Sequence, residues 1–308
     1  MQPSLLALFK RFPGVRHWPV WLMVGGLRLL AWLPLPLLSL LGTAGGELAY
    51  RLHRPRRDIT LRNLAACFPD KTTAEIRALA RGHFRSLVTA VLATGVAWWG
   101  DKARLRRLTG FQNRAVFDEA RRRGDNIILL APHFAGLEYG GIFLSTLAPM
   151  VSMYQRHKNP LMDALIKAHR ARFGIIQYPR RAPAKSMIRL LGQGHLFYYL
   201  PDQDPGRNKG VFAPFFSIPT ATYGTLGRIA RLGDATVIPC ATRLLPRGRG
   251  FEIIFGQPLA DYPDGDAVLD TTRMNRAVEA LIAHSPEQYF WSHRRFKTRP
   301  PGEPPFYS

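Results

Sequence analysis

Five short apolar runs alternate with segments of helical periodicity, and this alternation constrains the fold of the chain more than any other feature. Runs of this length are typical of strands that are buried on both faces of a parallel sheet. They lie at residues 126–131, 149–154, 196–200, 235–241 and 251–255. Helical segments are predicted at residues 72–99, 159–173, 220–232 and 272–283. The pattern predicts an α/β fold in which helices cover a mostly parallel sheet.

Two of the predicted helices begin with recognisable capping signals. Thr72 or Thr73 can cap the helix at residues 72–99, and Glu75 lies in its first turn. Asn159 can cap the next of them, in which Pro160 occupies the first helical position. These signals define where both helices start.

Residues 18–41 form a nearly uninterrupted apolar stretch of 24 residues, in which Arg28 is the one charged residue. A helix that spans a bilayer needs about 20 apolar residues. Arg28 and two prolines favour a segment that dips into one leaflet as much as one that crosses, and a buried helix of a soluble core is the alternative. We predict an N-terminal membrane helix, with residues 1–45 as an anchoring segment and residues 46–308 as the main domain.

The charge of the chain favours anionic partners. The sequence has 43 Lys and Arg against 21 Asp and Glu, a net charge of +22, which suits nucleic acid, anionic lipid head groups or an acidic carrier protein. Five arginines in residues 50–62 follow the apolar stretch and indicate the cytoplasmic side of a membrane. The two cysteines, Cys67 and Cys240, form no CxxC motif, which excludes a disulfide scaffold and a thiolate zinc site.

The first polar cluster follows the run at residues 126–131. His133 comes directly after this run, and Glu138 follows five residues later. If His133 lies in a loop and Glu138 one turn into a helix, the carboxylate can reach the imidazole and fix its tautomer. The other ring nitrogen can then take a proton from a hydroxyl. The small Ala135 and Gly136 leave room for a substrate, although a lone histidine after a strand also fits a structural role.

Two further clusters follow other predicted strands. Asp202 and Asp204 lie in a turn after residues 196–200, where two acids could bind a metal, hold an arginine or cap the turn. Arg170 and Arg172 lie on the helix that Asn159 caps. An arginine that faces the site could bind phosphate or stabilise an oxyanion, and a solvated helix face is the alternative. Ligand sites of such sheets lie at the carboxyl ends of strands, where all three clusters fall.

Several common motifs are absent from the sequence. It contains no GxGxxG, GxxxxGK[ST], HExxH or GxSxG motif, so nucleotide-dependent, zinc-hydrolase and α/β-hydrolase functions lose their usual support. The C-terminal residues 289–299 mix aromatic and cationic side chains. This mixture fits nucleic-acid binding and, equally, a basic surface for an anionic lipid.

Taken together, these residues resemble the bacterial late acyltransferases of lipid A biosynthesis, the lauroyl and myristoyl transferases of the inner membrane. The resemblance follows the chain nearly end to end and in the same order. It is carried by Arg62-Asn63-Leu64, Cys67-Phe68-Pro69, the HFAGLE block at residues 133–138, Asn159-Pro160-Leu161, the turn at residues 202–206 and the ending EQYFWSHRRFKTRPPGEP at residues 287–304.

The resemblance implies a glycerolipid-acyltransferase-like fold with an N-terminal membrane helix, located at the bacterial inner membrane with the site on the cytoplasmic side. It implies transfer of a fatty acyl chain from acyl carrier protein or coenzyme A to a hydroxyl of a phosphorylated lipid A precursor. No metal or other cofactor and no nucleic-acid partner is expected. Another lipid acceptor (a lysophospholipid, an amino-acid lipid or a polyene lipid) is the alternative within the enzymes. A membrane-attached nucleic-acid binder is the alternative outside them.

The resemblance also implies roles for individual residues. His133 matches the catalytic histidine of the family, Glu138 its acidic partner, and Arg170 an arginine needed for activity. We expect four further residues to contact substrate: Asn159, Arg172, Asp202 and Asp204.

Overall fold

The computed structural model describes residues 5–179 and 184–307. Its strands are β1 (Thr109–Gln112), β2 (Asn126–Leu130), β3 (Met150–Tyr154), β4 (Ile175–Pro179), β5 (Leu196–Tyr199), β6 (Val211–Phe215), β7 (Ile218–Thr222), β8 (Ala235–Leu244) and β9 (Phe251–Phe255). The helices up to the first sheet strand are α1 (Leu5–Arg11), α2 (Trp18–Leu30), α3 (Leu35–Leu52), α4 (Arg54–Cys67), α5 (Thr73–Trp99) and α6 (Lys102–Arg107). The later helices are α7 (Arg114–Arg123), α8 (Leu137–Leu144), α9 (Pro160–Ala171), α10 (Ala184–Gly192), α11 (Leu226–Leu232) and α12 (Ala267–Ala283).

A seven-stranded sheet in the order β1-β9-β8-β2-β5-β3-β4 forms the centre of the fold. The strands from β8 to β4 run parallel to one another, while β9 pairs antiparallel with β8 and parallel with β1. The predicted α/β class with a mostly parallel sheet is therefore confirmed.

Helices cover both faces of this sheet, as the central strand β2 demonstrates. Ile127 and Leu129 pack into one apolar cluster with residues of α2, α3, α8 and α9. Ile128 and Leu130 pack into the other cluster with residues of α4, α10, α11 and α12. Because successive side chains of a strand point to opposite faces, a strand buried on both faces is apolar at every position.

The predicted helix at residues 72–99 is confirmed as α5. The hydroxyl of Thr72 accepts the main-chain N–H of Glu75, and the Glu75 carboxylate accepts the main-chain N–H of Thr72. This reciprocal capping box satisfies two N–H groups that the first turn would otherwise leave without acceptors.

The single N-terminal membrane helix that the sequence predicted is not found. The apolar stretch divides into α2, of 13 residues, and α3, of 18 residues. Pro34 separates them, because its extended backbone precedes α3 and its ring nitrogen cannot donate a hydrogen bond. None of the helices within residues 5–179 and 184–307 has the length and apolar character needed to cross a bilayer.

Helix α3 packs tightly on α5 through two glycines. A Cβ atom on Gly46 would lie 2.4 Å from the Cα atom of Arg85, and one on Gly42 would collide with Thr89. Beside this contact, Arg85 donates to the Glu47 carboxylate at 2.6 Å. The proposed boundary at residue 45 lies inside α3, and the division into an anchoring segment and a main domain stays a prediction.

The predicted helix at residues 220–232 is wrong at its start. Residues 218–222 form β7, which pairs with β6 in an antiparallel hairpin, and the helix begins only at Leu226. Thr220 and Thr222 are fully buried in this hairpin. The late helix at residues 272–283 is confirmed as part of α12, which starts earlier because Asp266 caps it.

Candidate active site

The register of two neighbouring strands brings His133 and Asp202 together. Leu130 of β2 pairs with Tyr199 of β5, and each of the two polar residues lies three positions further along its chain. Oδ1 of Asp202 lies 2.7 Å from Nδ1 of His133, and Oδ2 accepts the main-chain N–H of His133 at 2.8 Å. The main-chain carbonyl of His133 accepts from Phe290 at 2.9 Å. Both the ring and the backbone of this histidine are therefore fixed.

Asp202 is buried and ionised. Burial raises its pKa, but attraction to the protonated form of His133, two hydrogen bonds from the same residue and the charge of Arg295 lower it by more, so that the pKa falls below its usual value. An ionised carboxylate accepts hydrogen bonds only, so Nδ1 of His133 carries the proton. This tautomer leaves Nε2 with a lone pair.

The side chain of Gln203 lies at this lone pair. Its amide nitrogen is 3.1 Å from Nε2 of His133, and an amide NH₂ group can donate where Nε2 accepts. Gln203 therefore marks the position from which a donor such as a hydroxyl would approach the imidazole.

Glu138 does not contact the imidazole, so the predicted pairing with His133 is wrong. Its carboxylate accepts two hydrogen bonds from Arg170, at 3.1 and 2.6 Å, and one from the indole of Trp98 at 3.2 Å. Burial raises the pKa of Glu138, but Arg170 and Trp98 lower it by more, so the pKa falls below its usual value. Because α8 begins only at Leu137, Glu138 lies in its first turn and reaches α5 and α9 rather than the loop that carries His133.

An apolar cavity of about 250 Å³ lies beside His133. One wall is the α5 face that includes Leu87 and Val91, and Phe134, Leu137 and other residues of the His133 loop and α8 contribute another. An apolar group is the ligand that such a lining favours.

A second histidine lines this cavity. His83 is 2% exposed, and its Nε2 has no hydrogen-bond partner. Burial lowers the pKa of His83 to about 4, so its imidazole is neutral.

The other predicted site residues have structural partners. Asn159 caps α9 by accepting from the first-turn amides of Leu161 and Met162. Asp204 accepts from the main-chain N–H and the hydroxyl of Thr298, at 2.7 and 2.9 Å. Both therefore hold the backbone of the site, and their contact with substrate stays a prediction.

Arg172 and Gly136 also make structural contacts. Arg172 donates to the main-chain carbonyl of Trp98 at 2.7 Å, and its contact with substrate stays a prediction. A Cβ atom on Gly136 would lie 2.5 Å from the carbonyl oxygen of Thr242. Gly136 therefore permits close packing on β8, and it also lines the apolar cavity beside His133.

The basic C-terminal stretch is partly structural. Arg295 is 3% exposed and donates to the carbonyl of Ala221 and the hydroxyl of Thr222, and Phe296 is fully buried. Asn63 donates to the carbonyls of Trp291 and His293. The stretch is therefore tied to the main domain and is not a continuous basic surface.

Sequence reasoning missed Gln203, Trp98 and His83. Gln203 lies between Asp202 and Asp204. The register of β2 with β5, which brings the turn after β5 to His133, is the signal that could have found it. Trp98 and His83 lie on α5, far from the motif in sequence, and no local pattern indicates their contacts. Among the residues that the structure describes, no three or more His, Cys, Asp or Glu side chains are arranged to hold a metal ion.

Comparison with known proteins points to one family. Residues 9–298 match the sequence model described as bacterial lipid A biosynthesis acyltransferase. The chain is 37% identical over 298 residues to the lipid A biosynthesis lauroyltransferase of Escherichia coli (strain K12), with 95% of each chain covered. It is 31% identical to the palmitoleoyltransferase of the same organism, with 97% of each covered. It is 29% identical to the myristoyltransferase, with 96% of this chain and 91% of the relative covered.

Proposed function

The chain belongs to the bacterial lipid A biosynthesis acyltransferase family, and on that premise we propose that it moves a fatty acyl chain from a thioester donor to a hydroxyl of a lipid A precursor. Membership makes the chain an O-acyltransferase of lipid A biosynthesis. The proposal adds acyl carrier protein or coenzyme A as donor, a phosphorylated glycolipid as acceptor, and the cytoplasmic side of the bacterial inner membrane as location.

The pair of His133 and Asp202 carries the proposal. Nε2 of His133 takes the proton of the acceptor hydroxyl while the hydroxyl oxygen attacks the thioester carbonyl carbon. The C–S bond then breaks, and the imidazolium returns the proton to the leaving thiolate. Asp202 stabilises the imidazolium through the hydrogen bond at Nδ1. The acceptor hydroxyl replaces the amide of Gln203 at Nε2.

The start of α8 is the proposed site for the thioester oxygen. A helix leaves its first N–H groups without intrahelical acceptors. The N–H of Leu137 already donates to the carbonyl of Phe134, and Glu138, the next residue of this turn, lines the same cavity as His133. Negative charge that develops on the oxygen is stabilised there. Arg170 is engaged with Glu138 and acts by holding this turn in place.

The apolar cavity is the proposed site for the acyl chain. Its wall on α5 includes Val91, which is 51% exposed, so the cavity lies close to the surface. The relatives differ in the acyl group that their names state. One methylene changes binding in such a pocket by only about 1–3 kcal/mol, and the proposal therefore names a fatty acyl chain without its length.

We propose membrane attachment, and the surface of the first helices supports it. Large apolar side chains there face outward: Leu6, Leu22, Leu29, Trp32, Leu40 and Leu52 are each at least 65% exposed. Basic residues accompany them, as in helices that lie in one leaflet of an anionic membrane. We propose that this surface inserts into the leaflet from which the acceptor is taken.

Product analysis tests the function. Purified enzyme in detergent is incubated with an acyl thioester and a lipid A precursor, and mass spectrometry should detect the precursor with one added acyl group. His133→Ala should abolish this product while the variant keeps the circular dichroism spectrum of the wild type, although loss of the contact with buried Asp202 lowers its melting temperature. Transfer to a lysophospholipid but not to the lipid A precursor would refute the proposed acceptor.

A further inference from the structure

A second cavity is lined by Trp98 and Trp99 and has the composition of an anion site. It measures about 250 Å³ and is lined by α1, by Trp98 and Trp99, and by the three cationic or polar side chains Arg28, His169 and Arg172. No carboxylate is among its lining residues.

The two arginines have no acidic partner of their own in the described part of the chain. Arg28 lies over the rings of Trp32 and Trp99, at 5.6 and 5.5 Å, and Arg172 donates to the carbonyl of Trp98. Partial burial and the charge of Arg28 lower the pKa of Arg172, whereas Asp101 raises it. The two guanidinium groups therefore repel each other, and an anion between them would relieve this repulsion.

His169 adds an unsatisfied polar atom. The residue is 8% exposed, and its Nε2 is buried without a hydrogen-bond partner. Its ring stacks on Trp98 at 4.4 Å. Burial lowers the pKa of His169 to about 4, although a hydrogen bond to the carbonyl of Trp98 raises it. The neutral ring that donates to this carbonyl keeps a lone pair on Nε2, which can accept the hydrogen of a protonated phosphate oxygen.

The surroundings indicate a lipid as the source of the anion. Arg28 lies on α2; Leu29 beside it and Trp32, two residues after the helix ends, are 73% and 71% exposed. Leu5 and Leu8 of α1 form the apolar part of the cavity wall. A phosphate bound here would have apolar protein surface beside it, as a lipid head group has in a membrane.

We propose that this cavity is a binding site for the phosphate monoester of a membrane lipid. Arg28 and Arg172 bind the phosphate oxygens, since guanidinium groups match phosphate geometry, and His169 accepts from the protonated oxygen. The assignment deepens the proposed function, because it rests on a phosphorylated acceptor lipid at the same face of the enzyme. Trp98 lines this cavity and its indole donates to Glu138, the partner of Arg170, so one side chain connects a head group held here to the catalytic region.

Calorimetric titration of the full chain in non-ionic detergent tests the site without any need for turnover. The probes are short-chain phosphatidic acid, the matching diacylglycerol and inorganic phosphate. Phosphatidic acid should bind, and Arg28→Ala and Arg172→Ala should each weaken its binding at least tenfold, because a hydrogen bond to a charged group contributes about 1.5–3 kcal/mol. The control Arg121→Ala removes an exposed arginine of α7 and should bind as the wild type does.

Three outcomes would overturn the site: equal binding of diacylglycerol, inorganic phosphate binding as tightly as phosphatidic acid, or unchanged binding in both arginine variants. Arg172→Lys guards against misfolding of the alanine variant, and it should bind more weakly than the wild type because lysine lacks the planar fork. Acyl transfer is measured separately. If the wild type transfers the acyl group but neither arginine variant changes lipid binding, the site alone is refuted. If binding depends on the arginines but no transfer occurs, the proposed function alone is refuted.

Discussion

Replacing Asp202 by asparagine removes one acceptor from a carboxylate that uses both oxygens on the same residue. Oδ1 accepts from the ring of His133 and Oδ2 accepts from its main-chain N–H. An amide has one oxygen and one NH₂ group, so it can satisfy only one of these two donors. If the oxygen stays on the main-chain N–H, the NH₂ group faces Nδ1, and the proton of the ring moves to Nε2. If the amide turns over, the main-chain N–H loses its acceptor.

The first arrangement abolishes the general base, because Nε2 then carries a hydrogen and cannot accept one. The same substitution in the Ser-His-Asp triad lowers kcat by about 10⁴-fold, which corresponds to about 5.4 kcal/mol of activation free energy. We expect Asp202→Asn to lower kcat by a similar factor. KM for the acyl donor should change little, because Asp202 is buried behind the imidazole. Steady-state release of free thiol from the donor, with saturating acceptor, measures both constants.

Asp270→Asn is the matched control. Asp270 is 5% exposed against 4% for Asp202, and its carboxylate also accepts a main-chain N–H, that of Asp264 at 2.8 Å. Both variants therefore lose a comparable buried acceptor, but Asp270 does not contact His133. The control should keep kcat within a few-fold of the wild type. A folded Asp202→Asn enzyme whose kcat stays within tenfold of the wild type would refute the role of this pair.

Three further outcomes are expected. Arg170→Lys should lose nearly as much transfer as Arg170→Ala, since lysine cannot make both contacts to Glu138, and each should lower the free energy of unfolding by about 1.5–3 kcal/mol in urea titrations. The pKa of Asp202 is lower in the folded than in the unfolded protein. The ionised carboxylate therefore stabilises the fold fully above its pKa in the unfolded state, and this stabilisation is lost as the pH falls through its pKa in the folded state. Unfolding free energy measured from about pH 5 down past about pH 3.9, the usual pKa of an Asp carboxyl, should therefore fall less steeply in Asp202→Asn. Thr72→Ala should cost about 1 kcal/mol of unfolding free energy without a change in kcat, because it removes the cap of α5.

The strands of the central sheet could be predicted because their signal is local. All five apolar runs became strands, and β9 has the predicted bounds of 251–255. The strands that were missed are short or partly exposed. In β4, for example, Ile175 and Tyr178 are buried while Ile176 is exposed, so hydrophobicity alone does not distinguish it from a loop.

The pairing of His133 could not be read from spacing along the chain. A histidine and an acid five residues apart suggested a contact with Glu138, but the ladder between β2 and β5 supplies Asp202 from 69 positions away. Spacing describes one segment, whereas a parallel sheet aligns the ends of two segments. The sequence predicts that the clusters of His133 and Asp202 both lie at strand ends. Their contact, however, requires β2 and β5 to be neighbours in the sheet, and the order of strands along the chain does not specify this.

The position of α5 explains why the apolar N-terminal stretch could not be interpreted by hydropathy alone. Its surface near Arg85 and Thr89 receives α3 at Gly46 and Gly42, so part of the stretch satisfies an internal packing requirement. Elsewhere on the same helix Val91 lines the proposed acyl cavity, and the last turn holds Glu138 through Trp98. Helix α3, one of the helices proposed to contact lipid, therefore packs on α5. The same α5 lines the proposed acyl cavity and holds Glu138 in the first turn of α8.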